Sequence, residues 1–261
     1  MRNPVLPLII ALPLVISVYL NPAFGGNLRG EFFNPSRMVS LETSTQELKQ
    51  IYYHGNHNRT LHCGCFFDKL LQVRLPSCGK GPGRVEAAPR QGIVDWVHGM
   101  PASVFGARLA CFNRPLCESP GGETLAGARC CQTVSPKFKS MEADMHNLFP
   151  GIETAGASAP AADPAQRFGG MAEYGFCNKE GAPPEMPRKE IRGDLARAHF
   201  YMSVQYGIPI PQKEEDELRL WHVTDPPDAW EEERNTQIEL VQGNRNPFID
   251  HPELAERVRD F

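Results

Sequence analysis

The chain carries no surplus of positive charge. Its 27 Lys and Arg against 31 Asp and Glu leave a formal net charge of −4, so bulk attraction does not mark it as a nucleic-acid binder, although local patches weigh more than the total. It lacks a glycine-rich phosphate loop of the nucleotide-binding type, which removes one common route to phosphate chemistry. It has no internal repeat and no stretch that reads as a linker between two domains. Its 8 cysteines lack the spacing of zinc knuckles: Cys63-Gly64-Cys65 and Cys130-Cys131 are too tight, and no His-x₃-His pair follows them. With zinc disfavoured, disulfides are expected, as in an exported protein.

Export is also what the first residues suggest. Arg2 gives a short charged start, Val5 to Leu20 form an apolar stretch, and Ala23-Phe24-Gly25 places small residues at a cleavage site. A membrane anchor is the rival, but Pro7 and Pro13 interrupt the run and it is short for a bilayer span. The expected organisation is a signal peptide over residues 1–25 and one domain over 26–261, periplasmic or secreted and without a membrane segment after cleavage. A monomer is expected.

Periodicity gives a coarse α+β reading. Ser44 or Thr45 is placed as the cap of a helix carrying Leu48, Ile51 and Tyr52, ending near Gly55. Leu61 to Val73 reads as strand, and Pro76 to Gly92 as a Gly- and Pro-rich loop. Ile93 to His98 alternates as a half-buried strand. A Gly-rich insertion spans 118–129 and an irregular loop 151–187. Phe138, Met141, Met145 and Leu148 predict one helix over 136–148, with Glu142 and His146 on its flank. Arg188 to Tyr206 is the clearest helix, with Ile191, Leu195, Ala198, His199 and Met202 on one face and Gly207 as its stop. Further helices are expected over 214–222 and 228–240. Basic residues gather at Lys69, Arg74, Lys80, Arg84 and Arg90, and again at Arg188, Lys189, Arg192 and Arg197. His54, His57 and His62 suggest a metal less than an exposed loop.

Two blocks stand out: Asp95-Trp96-Val97-His98-Gly99-Met100-Pro101-Ala102 and Met141-Glu142-Ala143-Asp144-Met145-His146-Asn147-Leu148. They resemble the active-site signature of the bacterial endonuclease I family, secreted and disulfide-bonded nucleases with a ββα-metal core. Tyr174-Gly175-Phe176-Cys177, Arg192-Gly193, Ala196 to Met202, and Gln242-Gly243-Asn244-Arg245-Asn246-Pro247-Phe248 are similar to further family segments in the same order. The resemblance implies a ββα-metal nuclease core, a nucleic-acid substrate and His98 as general base. Two departures bear on the metal. Family members have a Glu ligand immediately before the histidine, where this chain has Val97, and the family's Asn ligand falls on Gly156. Both protein ligands of Mg²⁺ are thus replaced. The cysteines depart too: the family's late cysteine is Glu232 here, while Cys117 and Cys130 are extra. The resemblance implies Cys111–Cys131 and pairing of Cys63 and Cys65 with Cys177 and Cys78, in that order, and the two extra cysteines are expected to form a Cys117–Cys130 bridge nested inside Cys111–Cys131.

Without those ligands, cleavage of DNA by external water is hard. RNA brings its own nucleophile, since the 2′-hydroxyl lies beside the phosphorus and attack is intramolecular. The expectation is therefore a metal-independent, RNA-preferring endonuclease without a cofactor. His98 is its base, Asp95 a support, and Glu142 a family active-site carboxylate. His146 is expected as the acid, one helical turn from Glu142, with a packed helical histidine as the bland reading. Arg129, offset by one residue from the family's active-site arginine, is placed on the phosphorane. Arg192 and Arg197 are expected on the phosphate backbone, with Asn147, Asn244 and Asn246 along the substrate cleft or capping turns. Two alternatives stay open: Mg²⁺ held by Asp95, Glu142 or Glu153 in an enzyme acting on DNA and RNA, and an inactive nucleic-acid-binding relative.

Overall fold

The computed structural model describes residues 36–37, 39–78, 92–152 and 187–261. The expected signal peptide, Cys177, Glu153 and Gly156 lie outside them. Chain order begins with α1 (Leu41–His54) and β1 (Val94–His98). Two short helices, α2 (Ala102–Phe105) and α3 (Ala110–Asn113), precede a hairpin of β2 (Cys117–Glu118) and β3 (Thr124–Leu125). Next come α4 (Ala128–Val134), α5 (Pro136–Glu142) and β4 (Leu148–Ile152). The chain closes with α6 (Arg192–Tyr206), α7 (Gln212–Thr224), α8 (Ala229–Gln242), α9 (Pro247–Asp250) and α10 (Leu254–Arg257). This is the expected α+β class.

β1 and β4 pair antiparallel, from Val94 opposite Ile152 to His98 opposite Leu148. The alternation read from 93–98 separates two apolar clusters. Val94, Trp96, Leu148 and Ile152 pack with Leu48, Ile51 and Tyr52 of α1. Val97 and Phe149 belong to the larger cluster built on Phe138, Leu195, Phe200 and Phe248. The two-stranded sheet lies between these cores.

α6 is the central element. Its residues from Leu195 to Ser203 are buried all round rather than along one stripe, as expected for a helix enclosed by others. Gly193 permits the close approach: a Cβ there would lie 1.9 Å from the Asp225 carbonyl oxygen. Gly207, at φ +70°, stops the helix as its position predicted.

Several boundaries differ from expectation. Ser40, not Ser44 or Thr45, caps α1 by accepting from the Thr43 amide, because Ser44 is buried and donates to the Ala143 carbonyl. The 61–73 segment forms isolated bridges, Arg59 to Phe66, Phe67 to Val73 and Gln72 to Ile93, rather than a strand. The helix predicted over 136–148 stops at Glu142, where Ala143 follows in a capping turn. Asp144 then accepts from the His146 amide and starts a 3₁₀ turn over Met145–Asn147. Gly151 and Ile152 belong to β4 rather than to the loop expected from 151, and the rest of that expected loop up to 186 lies outside the described residues. The insertion forms the β2–β3 hairpin.

Among the described residues, Cys65–Cys78, Cys111–Cys131 and Cys117–Cys130 are bonded. Cys63 is also disulfide-bonded, and its expected partner Cys177 lies outside them. The predicted nesting of the second and third bridges is present.

Candidate active site

His98 ends β1 with its ring set edge-on to Phe105 of α2, 5.3 Å between centroids. Its Nε2–H donates to the Glu142 carbonyl oxygen at 2.9 Å. A carbonyl can only accept, so this bond assigns the proton to Nε2 and leaves Nδ1 with the lone pair a base needs. Glu142 can offer that oxygen because it is the last residue of α5, where carbonyls have no helical partner. Burial pushes the His98 imidazole below the ordinary histidine value, against the opposing pull of the Glu142 carbonyl and of the Glu142 and Asp95 charges. The ring is therefore neutral at neutral pH.

The Glu142 carboxylate is buried, and its Oε1 accepts from Gln132 Nε2 of α4 at 2.6 Å. Arg129 lies three residues before Gln132 on α4, which sets both on one flank of the helix, and it is exposed. Asp95 is exposed, and its Oδ1 accepts from the Trp96 amide. His98 and Glu142 thus come together at the sheet end, and Gln132 joins them without having been singled out in sequence. No motif marked it, and only the fold brings α4 against α5.

The remaining candidates go elsewhere. His146 is not one helical turn from Glu142, because α5 has already ended. Its Nε2 donates to the Asn244 carbonyl at 3.1 Å and its ring packs on Tyr201, 4.7 Å between centroids. Burial holds its imidazole down to about 4. It lines a cavity of about 20 Å³, room for a water but not for a nucleotide. This geometry is that of the bland reading, a packed histidine. Arg197 is buried: its guanidinium makes a two-point pair with Glu231, at 2.7 and 2.5 Å, and donates to the Asp225 carbonyl at 2.7 Å. It has no face left for a phosphate. Arg192, half-buried on the first turn of α6, donates from Nε to the Pro187 carbonyl at 3.0 Å and lies over Trp221.

The three asparagines are structural. Asn147 Oδ1 accepts from the Met100 amide at 2.6 Å and its Nδ2 donates to the Met100 carbonyl at 3.0 Å, which fixes the turn after His98. Asn244 donates to the Tyr201 hydroxyl. Asn246 caps α9 and donates to the Arg197 carbonyl. Asp144, absent from the expectations, anchors this buried network by accepting from Tyr201, Tyr206 and Gln242. His62, read as an exposed loop residue, is buried, while His57 is exposed and stacks on Trp230 at 4.2 Å.

The order of these motifs along β1, α5 and α6 is matched by the endonuclease I family model over residues 70–253. The chain belongs to the endonuclease I family. An extracellular deoxyribonuclease of Aeromonas hydrophila is 33% identical over 229 residues, covering 83% of this chain and 91% of the relative. A periplasmic deoxyribonuclease of the same organism is 34% identical over 215 residues, covering 78% and 83%. An extracellular ribonuclease of Bacillus amyloliquefaciens is 41% identical over 90 residues, covering 28% of this chain and 31% of the relative.

Family membership implies Mg²⁺, and the side chains beside His98 do not supply the family's ligand set. Val97 stands where the carboxylate ligand is required, and a valine has no donor atom. Its side chain packs against the larger core. Among the described residues no group of three or more His, Cys, Asp or Glu is placed to hold a metal ion, and the other expected ligand position, Gly156, lies outside them.

Proposed function

We propose that this endonuclease is exported by a cleaved signal peptide and cuts RNA in preference to DNA, with His98 as general base and no resident divalent cation. The observation that carries the reading is the bond from His98 Nε2 to the Glu142 carbonyl, since it leaves Nδ1 unprotonated beside a position that has lost its metal-binding carboxylate.

In the proposed step, Nδ1 takes the proton of the 2′-hydroxyl, the 2′ oxygen bonds to phosphorus, and the bond to the 5′ oxygen breaks. The product is a 2′,3′-cyclic phosphate, and the leaving oxygen takes a proton from water at the open rim. Arg129 supplies positive charge to the phosphoryl oxygens, a role that suits its exposed place on α4. Glu142 holds the base through its main chain, and Asp95 adds negative charge near the imidazolium that forms. With His146 and Arg197 committed to the interior, no second histidine serves as acid, and of the arginines expected at the site Arg129 and Arg192 remain for phosphate. The match to an extracellular ribonuclease supports an RNA substrate over part of the chain.

The longer-matching relatives are named deoxyribonucleases, which favours the second reading: cleavage of DNA and RNA with Mg²⁺ held by Asp95, Glu142 or Glu153. Parallel cleavage of RNA and DNA, each with excess EDTA and with added Mg²⁺, separates the two. The first requires RNA cleavage that persists in EDTA and stops when the RNA carries 2′-O-methyl groups. DNA cleavage that vanishes in EDTA and returns with Mg²⁺ establishes the second.

A further inference from the structure

Gln132 stands outside every motif of the site, yet it is the only side chain among the described residues that hydrogen-bonds to the Glu142 carboxylate. It follows Cys130 and Cys131, whose bridges to Cys117 and Cys111 tie α4 to the hairpin and to α3. Two contacts therefore run in series across three elements. Gln132 Nε2 of α4 donates to Glu142 Oε1 at 2.6 Å. Glu142 closes α5. Its carbonyl receives His98 Nε2–H of β1 at 2.9 Å.

We infer that Gln132 is a positioning residue that sets the tautomer and aim of His98 through Glu142. The inference rests on the proposed role of His98 as base. A buried carboxylate needs a donor, and Gln132, exposed on α4, provides a neutral one without opposing charge. Without that donor the carboxylate turns toward water and the end of α5 loosens with it. The carbonyl held out to His98 then loses its direction, and the imidazole can place its proton on either nitrogen. A neutral amide suits the task better than an arginine, since a cation beside Glu142 would cancel the charge that favours the protonated imidazole during the reaction. The bridges at Cys130 and Cys131 hold the backbone from which the exposed Gln132 side chain reaches Glu142.

The test compares the wild-type chain with Gln132→Met, which keeps length and removes the donor, and Gln132→Glu, which keeps shape. Imidazole ¹⁵N shifts of His98 report its tautomer without any substrate. The wild type should show the Nε2–H form, and Gln132→Met a mixture. In Gln132→Met, kcat should fall roughly 10–100-fold, the scale of a misaligned reacting group, with KM retained and the domain still folded. In Gln132→Glu, two carboxyls at hydrogen-bond distance share one proton and one pKa rises. Its rate should be near wild type at the acid end and decline as pH rises through that value, a limb the wild type lacks. A His98 tautomer unchanged in Gln132→Met overturns the inference whatever the rate. If the wild type cuts only DNA and only with Mg²⁺, the RNA reading fails, while the tautomer spectra and kcat on DNA still judge Gln132. If it cuts neither polymer, the spectra alone decide.

Discussion

At the scale of single residues, proton and charge positions decide which side chains act. A base must be neutral, so the rate falls as pH drops through the His98 pKa. Burial sets that value below the usual 6.5, and the acidic limb of kcat/KM is expected below pH 6.5. His98→Ala should lose about 10²–10⁴-fold in rate while staying folded. A limb centred above pH 6.5, or a folded alanine variant with parental activity, would place the base elsewhere. Two arginines of one helix should behave oppositely. Arg197→Ala strands the buried Glu231 carboxylate, which costs about 3–5 kcal/mol of stability. Arg192→Ala should leave the melting curve nearly unchanged and weaken polymer binding with a shallower salt dependence. Urea titration and binding across a salt series distinguish them, and similar stability losses in both variants would refute the contrast.

Elements differ in how far sequence could reveal them. β1 and α6 were legible because alternation and a terminal glycine act locally, and the strand ends on the histidine it was expected to present. The 136–148 segment was misread because its apolar residues keep helical spacing across a break. Asp144 caps a new turn there and is held by Tyr201, Tyr206 and Gln242, contacts from far along the chain that no local pattern contains. The same break removed His146 from the site. Arg197 was misassigned because a guanidinium that binds phosphate and one that pairs with a distant buried glutamate look alike in sequence. The outer bridge was legible through the family resemblance and the inner one from the two extra cysteines left around the insertion, and they give a prediction at this scale. Replacing Cys117 and Cys130 together by serine opens a 13-residue loop, which costs about 3 kcal/mol on the chain-entropy account. The hairpin should then be cut faster by a glutamate-specific endopeptidase at the exposed Glu118 or Glu123 while Cys111–Cys131 keeps α4 attached. Unchanged proteolysis would show that the hairpin is held by packing alone.

For the whole molecule, the buried imidazoles tie stability to pH. Unfolded, His146 takes a proton near pH 6.5, whereas folded it resists until about 4. Its contribution is complete above pH 6.5 and drains away as pH falls toward 4, a loss on the order of 3 kcal/mol. His98 and His222 are shifted in the same direction by burial. Urea unfolding at pH 7.5 and pH 4.5 should show this drop, and His146→Gln should reduce it. An equal drop in that variant would assign the acid sensitivity to other groups. Among the described residues no helix is long and apolar enough to cross a membrane.

The paired contacts of the Asn147 side chain with the main chain of Met100 imitate one more rung of the ladder beyond the end of β1 and β4. The Gly99 amide adds a bond to the Asn147 carbonyl at 2.9 Å. In hydrogen-exchange terms, the turn after His98 should therefore behave as core. The Gly99 and Met100 amides should exchange only when the whole domain opens, as slowly as those of α6. Asn147→Ala should release Met100 to fast local exchange while α6 stays protected. The catalytic end of the sheet would then be rigid before any substrate arrives, with the adjustment to substrate left to the exposed arginines.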